Sequence, residues 1–174
     1  MKSRTLKRTL CALSLLAALA VACLPPRGAA SARAARAQGP SEIAVIVNKS
    51  NPVEDLPLAE LREYFLAERG HWPNGGGKVR VVMLDPGLPA REAALRLIYN
   101  MNEKGYVSYF LGKKFRGESL EEPRQQSSAT DVIKFVSFVP GAIGYVRPEE
   151  VDASVKVIRV DGLAPGDPGY KLKL

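Results

Sequence analysis

The chain has 174 residues, with 25 Lys and Arg against 18 Asp and Glu, and a formal net charge of +7. Seven of the basic residues and none of the acidic ones fall in residues 1–37, which leaves residues 38–174 with 18 of each sign. The excess of positive charge belongs to the N-terminal segment, so overall charge gives no argument for nucleic-acid binding.

That segment has the form of a signal peptide. Lys2, Arg4, Lys7 and Arg8 precede an uncharged, apolar run from Leu10 to Leu24. The run is too short for an ordinary membrane-spanning helix. Ala35-Arg36-Ala37 offers a small-residue cleavage site before Gln38, and Ala30-Ser31-Ala32 is equally acceptable. Ala20-Val21-Ala22-Cys23 resembles a lipobox without its usual leading Leu, so lipid anchoring at Cys23 is the lesser expectation. We expect residues 1–37 to be a signal peptide and 38–174 to be one exported domain, in the periplasm or cell envelope, with no membrane span after cleavage. Both cysteines, Cys11 and Cys23, lie in the leader. A chain cut after Ala32 or Ala37 would carry no disulfide, thiol nucleophile or thiolate metal site.

In chain order, Ile43 to Val47 is an unbroken apolar, β-branched run that reads as a strand buried on both faces, as in a parallel sheet covered by helices. Asp55 and Pro57 announce a helix with Leu58, Leu61 and Phe65 inward and Glu60, Arg62 and Glu63 on the solvated side. His71 to Gly77 reads as a surface loop. Val79 to Leu84 is a second strand, and a helix follows from about Pro89 with Ala94, Leu97, Ile98 and Met101 at i, i+3, i+4 and i+7. Glu103 to Lys114 is a further helix anchored by Tyr106, Tyr109 and Phe110, followed by a polar loop through Pro123. Ser128 and Asp131 have capping-box spacing at the next helix start, with Asp in place of the usual Glu or Gln. Val132, Phe135, Val136 and Val139 mark that helix's apolar face. Pro140-Gly141 fits the centre of a type II turn, and Ala142 to Val146 reads as a strand whose Gly144 admits a close neighbour. Val155, Val157 and Val160 predict one final edge strand, and the segment after Leu163 reads as irregular. Strands linked by helical crossovers predict an α/β class, as a three-layer α/β/α sandwich with a mainly parallel sheet.

The residue types do not favour catalysis. His71 stands alone in its loop, no serine sits in a G-x-S-x-G elbow, and the Glu121-Glu122 and Glu149-Glu150 pairs read as solvated faces. No cofactor or metal is expected. Helix starts are the better place for a ligand, because their free amides and dipole favour anions. Ser127, Ser128 and Thr130 would add hydroxyls at one such start, Arg124 lies near it in sequence, and Arg91 lies at the start of an earlier helix. The competing reading is that Ser128 simply caps its helix while both arginines face solvent.

Four segments, taken in order, resemble the substrate-binding proteins of phosphate ABC transporters, in particular their short exported relatives. They are Ile43 to Pro52, Leu58 to Leu66 with Trp72-Pro73, Arg91-Glu92-Ala93, and Pro140 to Val146. The resemblance covers roughly residues 43–146. It implies about one lobe of a type II periplasmic-binding-protein fold, and an oxyanion such as phosphate held by amides, hydroxyls and an arginine. It also implies a partner such as an ABC permease or another envelope protein. In that family a Ser-Gly-Thr turn precedes the Arg-Glu-Ala helix and binds phosphate. Here the matching residues are Leu88, Pro89 and Ala90, which lack both hydroxyls and one amide donor. The site expectation is therefore Arg91, Ser127, Ser128 and Thr130, with Ser50 as an outlying candidate and weak binding overall. The alternative is an envelope adaptor that kept the lobe and lost the ligand.

Overall fold

Val45, Ile46 and Val47 are fully buried, and with Ala44 and Asn48 they form the strand β1, Ala44–Asn48. It belongs to a computed structural model that describes residues 42–73, 77–118 and 121–173. The N-terminal segment with both cysteines and residues 74–76 of the glycine loop lie outside the described residues. After β1 come β2 (Asp55–Leu56), α1 (Leu58–Phe65), β3 (Arg80–Leu84), α2 (Pro89–Leu97), α3 (Glu103–Phe115), β4 (Arg124–Gln126) and α4 (Ala129–Phe138). They are followed by β5 (Ala142–Val146), a 3-10 turn at Pro148–Glu150, β6 (Val155–Val157) and β7 (Arg159–Val160).

Five strands make the central sheet in the order β4-β3-β5-β1-β6. β3 is parallel to β4 and to β5, while β1 is antiparallel to β5 and to β6. Four of the five strands thus point one way and β1 alone runs against them. The unbroken apolar run of β1 reported burial on both faces correctly. It did not report direction, which is set by the path of the chain and not by strand composition. α4 covers one face, with Val132 against Gly144 of β5. On the other face Tyr145 meets Phe65 of α1, with ring centroids 6.2 Å apart. α2 and α3 complete that second layer, which gives the expected α/β/α sandwich.

The type II turn closes as its sequence demands. Ala142 N–H donates to Val139 O at 3.1 Å, and Gly141 sits at φ +80°. Trp72 secures this turn from across the sheet, because its Nε1–H donates to Gly141 O at 2.9 Å and its ring packs on Tyr64 at 4.8 Å.

Three sequence expectations change. Arg62 does not simply face solvent: it donates to Ile98 O at 2.9 Å and Leu97 O at 3.2 Å, and so closes the C-terminal end of α2. The single final edge strand is two strands in two sheets. Ile158 is buried between them and its N–H donates to Val45 O at 3.0 Å, after which β7 leaves the main sheet and pairs with β2. The last residues are irregular but docked, since Tyr170 Oη donates to Ile43 O at 2.8 Å and Ile43 N–H donates to Leu172 O at 3.0 Å. β4 has no strand signal of its own, because Arg124-Gln125-Gln126 has no apolar residue and its strand form comes from pairing with β3. Among the described residues the buried side chains from Ile43 to Leu172 form one core cluster.

Gly144 is where β5 tolerates no side chain. A Cβ there would lie 2.7 Å from Val82 Cγ1 and 3.1 Å from both Val132 Cγ1 and Val82 O. Gly144→Ala is expected to destabilise the fold by about 1–3 kcal/mol through overpacking, read as a lower urea midpoint at unchanged slope.

Candidate functional site

The carboxyl ends of β3, β4 and β5 share one edge of the sheet. Leu84 is in register with Gln126, and Asp85 N–H donates to Gln126 O at 2.9 Å. α2 begins shortly after Leu84 and α4 shortly after Gln126, so two helix starts flank the same edge from opposite faces. An edge of this kind is where open α/β sheets take ligands.

At α4 the expected hydroxyls are present. Ser128 is the N-cap: its Oγ accepts from Asp131 N–H at 3.2 Å and donates to Asp131 Oδ2 at 2.6 Å. Ser127 Oγ donates to the same carboxylate oxygen at 3.3 Å. Thr130 is exposed in the first turn. The chain's own Asp131 therefore stands where an external anion would meet these serines.

At α2 the start is bare. Leu88 is the N-cap without a side-chain hydrogen bond, and Pro89 follows it as the first helical residue. Pro at this position suits the helix, since its missing N–H is one that the helix leaves unpaired anyway. The same absence costs an anion one donor.

Arg91 does not face solvent; only 1% of the residue is exposed. Its Nε and Nη2 donate to the two carboxylate oxygens of Glu103 at 2.8 and 2.7 Å, and Nη1 donates to Leu84 O at 2.7 Å. The guanidinium lies 4.9 Å from the centre of the Tyr106 ring. Burial opposes its charge, but the hydrogen bonds and charge of Glu103 outweigh that cost and the net shift of its pKa is upward. Arg91 is thus a fixed cation beneath the edge, with its fork already on a carboxylate.

The neighbouring phenols are not bases. Burial pushes Tyr106 up to about 12 and raises Tyr99 and Tyr145 as well, so all three are neutral near pH 7.

The other candidates lie elsewhere. Ser50 follows the carboxyl end of β1, which runs the opposite way. Its Oγ donates to Asn48 Oδ1 at 2.7 Å, and Asn48 in turn donates to Val136 O and Ser137 O at the far end of α4. A ten-residue helix separates Ser50 from Ser128, a span of about 15 Å. Arg124 stands at the start of β4, with its guanidinium 5.3 Å from the Phe135 ring.

A groove of about 430 Å3 opens at the other end of β3, lined among others by Tyr64, Arg69, His71, Lys78, Arg80 and Glu121. Glu121 pairs with both Lys78 and Arg80, and Arg69 pairs with Glu60 and Glu63. Its cations are paired with carboxylates, as Arg91 is at the sheet edge, and no helix begins among its lining residues to add free amides. Among the described residues no cluster of His, Cys, Asp and Glu could hold a metal, and no helix is long and apolar enough to cross a membrane.

Breaking the Arg91 fork should cost stability. Arg91→Met is expected to lose about 2–4 kcal/mol, since it strips Leu84 O and Glu103 of their donors, and Glu103→Gln about 1–2 kcal/mol. Chemical denaturation of the two variants measures both values.

No protein-family model matches the chain. The phosphate-binding protein PstS of Bacillus subtilis is 25% identical over 124 residues, which cover 71% of this chain and 37% of that protein. The solved ABC-type phosphate transport receptor of Vibrio cholerae matches with a TM-score of 0.59 at 20% identity, over 76% of this chain and 53% of its own. A structure described as a phosphate ABC transporter substrate-binding protein of Clostridium perfringens, with bound phosphate, matches with a TM-score of 0.57 at 25% identity, over 71% and 46%. The chain spans about half the length of these structures and little more than a third of the curated relative. In fold, and at 25% identity to two of these proteins, the chain resembles the substrate-binding proteins of phosphate ABC transporters over the length of about one lobe.

Proposed function

We propose that this is an exported, non-enzymatic, solute-binding lobe of the phosphate-binding type, which takes phosphate or another small oxyanion weakly and acts beside an ABC permease or another envelope protein. The observation that carries the reading is the meeting of the α2 and α4 starts at the carboxyl ends of β3 and β4, with Ser127, Ser128 and Thr130 at one of them and Arg91 below. Similarity to phosphate-binding proteins supports the ligand class, and the signal-like leader supports export. Weakness follows from the donor set. A buried oxyanion needs several convergent donors. Here Leu88 and Ala90 bring no hydroxyl, Pro89 brings no amide, and Asp131 and Glu103 occupy Ser127, Ser128 and Arg91, which leaves Thr130 as the one candidate side chain at this edge not engaged by them.

That last point favours a second reading. A lobe whose serines and arginine are satisfied by its own carboxylates is built to stand without a ligand, as an adaptor that binds a protein partner would be.

Titration calorimetry with phosphate on residues 38–174 separates the two. The solute-binding reading expects heat and thermal stabilisation at millimolar phosphate; the absence of both would sink it. Rebuilding the turn as Leu88→Ser, Pro89→Gly and Ala90→Thr returns two hydroxyls and an amide. It is expected to tighten phosphate binding roughly tenfold or more. A rebuilt turn that changes nothing would favour the adaptor.

A further inference from the structure

The outer face of α3 is apolar where the fold gives it nothing to cover. The inner face is accounted for. Tyr106, Phe110 and Lys113 are buried against the core layer, and Lys113 Nζ donates to Leu66 O at 3.3 Å. On the opposite side Val107 is 54% exposed, Leu111 49% and Phe115 82%. Lys104, Val107, Ser108, Leu111, Lys114 and Phe115 fall at i, i+3, i+4, i+7, i+10 and i+11, which is one stripe of a helix. All six are exposed. The stripe is an apolar ridge with a lysine toward each end.

The charge on this stripe is uncompensated. Neither lysine forms an ion pair among the described residues, and residues 1–41, 74–76 and 119–120 contain no Asp or Glu. Of the acids near α3, Glu103 is held by Arg91 and Glu118 by Arg116 and Lys113, Glu68 accepts from Tyr109, and Glu122 lies within electrostatic reach of Tyr106; none of them pairs with Lys104 or Lys114. A partner for this face must therefore be apolar and negatively charged. A second copy of the chain is not, since pairing two such stripes would gather four lysines with no acid among them. A shape-specific protein interface buries about 800 Å2 on each partner, and three side chains on one convex helix fall well short of that. A lipid surface needs no matching shape. It takes an apolar ridge at its acyl boundary while lysines reach out to anionic headgroups.

We infer that the outer face of α3 docks this domain on a membrane surface bearing anionic phospholipid, through Val107, Leu111 and Phe115 with Lys104 and Lys114. The inference does not depend on oxyanion binding at the sheet edge, which lies apart from this face.

Residues 38–174 contain the core cluster of the described residues and lack the apolar N-terminal run, so they are the protein to test. They are expected to sediment with vesicles of phosphatidylcholine mixed with phosphatidylglycerol, less with pure phosphatidylcholine, and less as salt is raised. Leu111→Ser and Phe115→Ser should each lower the partition coefficient roughly tenfold, and Lys104→Gln and Lys114→Gln each about fivefold, selectively on the anionic vesicles. The exposed positions predict unchanged melting temperatures, which confirms that the variants fold. Failure to sediment with the anionic vesicles overturns the inference, and so does binding that both serine variants leave intact. A homodimer in light scattering that Phe115→Ser dissolves would overturn it as well, by assigning the face to a second copy.

Discussion

The bidentate contact of Arg91 with Glu103 is the point on which the second helical layer rests. One guanidinium joins the first turn of α2, the last carbonyl of β3 and the first residue of α3. An arginine buried this completely holds its place only if its donors are met, and a carboxylate in fork geometry meets two of them at once. The aromatic packing around it follows: Tyr106 lies under the guanidinium, and Tyr99 meets both Tyr106 and Phe65 edge to face. Arg62 fixes the other end of α2 through its last carbonyls. Two arginines thus hold the two ends of one short helix, and the tyrosine cluster fills the space between.

The same contact explains the tension in the site. The family resemblance assigns Arg91 to an anion. The structure finds an anion on it already, supplied by the chain. Asp131 does the same for the serines at the start of α4. Each carboxylate satisfies a local demand, a buried cation in one case and a helix cap in the other, and each reduces what the sheet edge can offer to a solute. The bare turn at Leu88, Pro89 and Ala90 acts in the same direction. The fold and the proposed ligand therefore separate: the chain itself satisfies the buried cation and the α4 cap, while Leu88, Pro89 and Ala90 lack the hydroxyls and the amide that the resemblance implies there.

α3 shows how burial and composition come apart. Its low sidedness in sequence has a physical source, for it is apolar on the face that packs and also on the face that does not. The aromatic anchors Tyr106 and Phe110 were legible as core, yet nothing in the sequence separates them from Val107, Leu111 and Phe115. Only the position of the helix in the outer layer decides which stripe is covered.

Local sequence sets the α/β class and the main strands. Apolar runs, helical spacing, the cap at Ser128 and the Pro140-Gly141 turn are local properties, set by backbone sterics and by burial. It also sets that Gly144 must admit a close neighbour, and that residues 88–90 carry no hydroxyl and no amide at Pro89. Tertiary structure decided everything that depends on what faces what. It reversed β1 relative to its neighbours, made a strand of the polar segment Arg124-Gln125-Gln126, and split the last strand between two sheets. It also set Ser50 at the far end of α4 from Ser128 and buried Arg91 on Glu103. These outcomes come from pairing between residues distant in sequence, where a hydrogen-bond partner, and not the side chain's own preference, fixes the result.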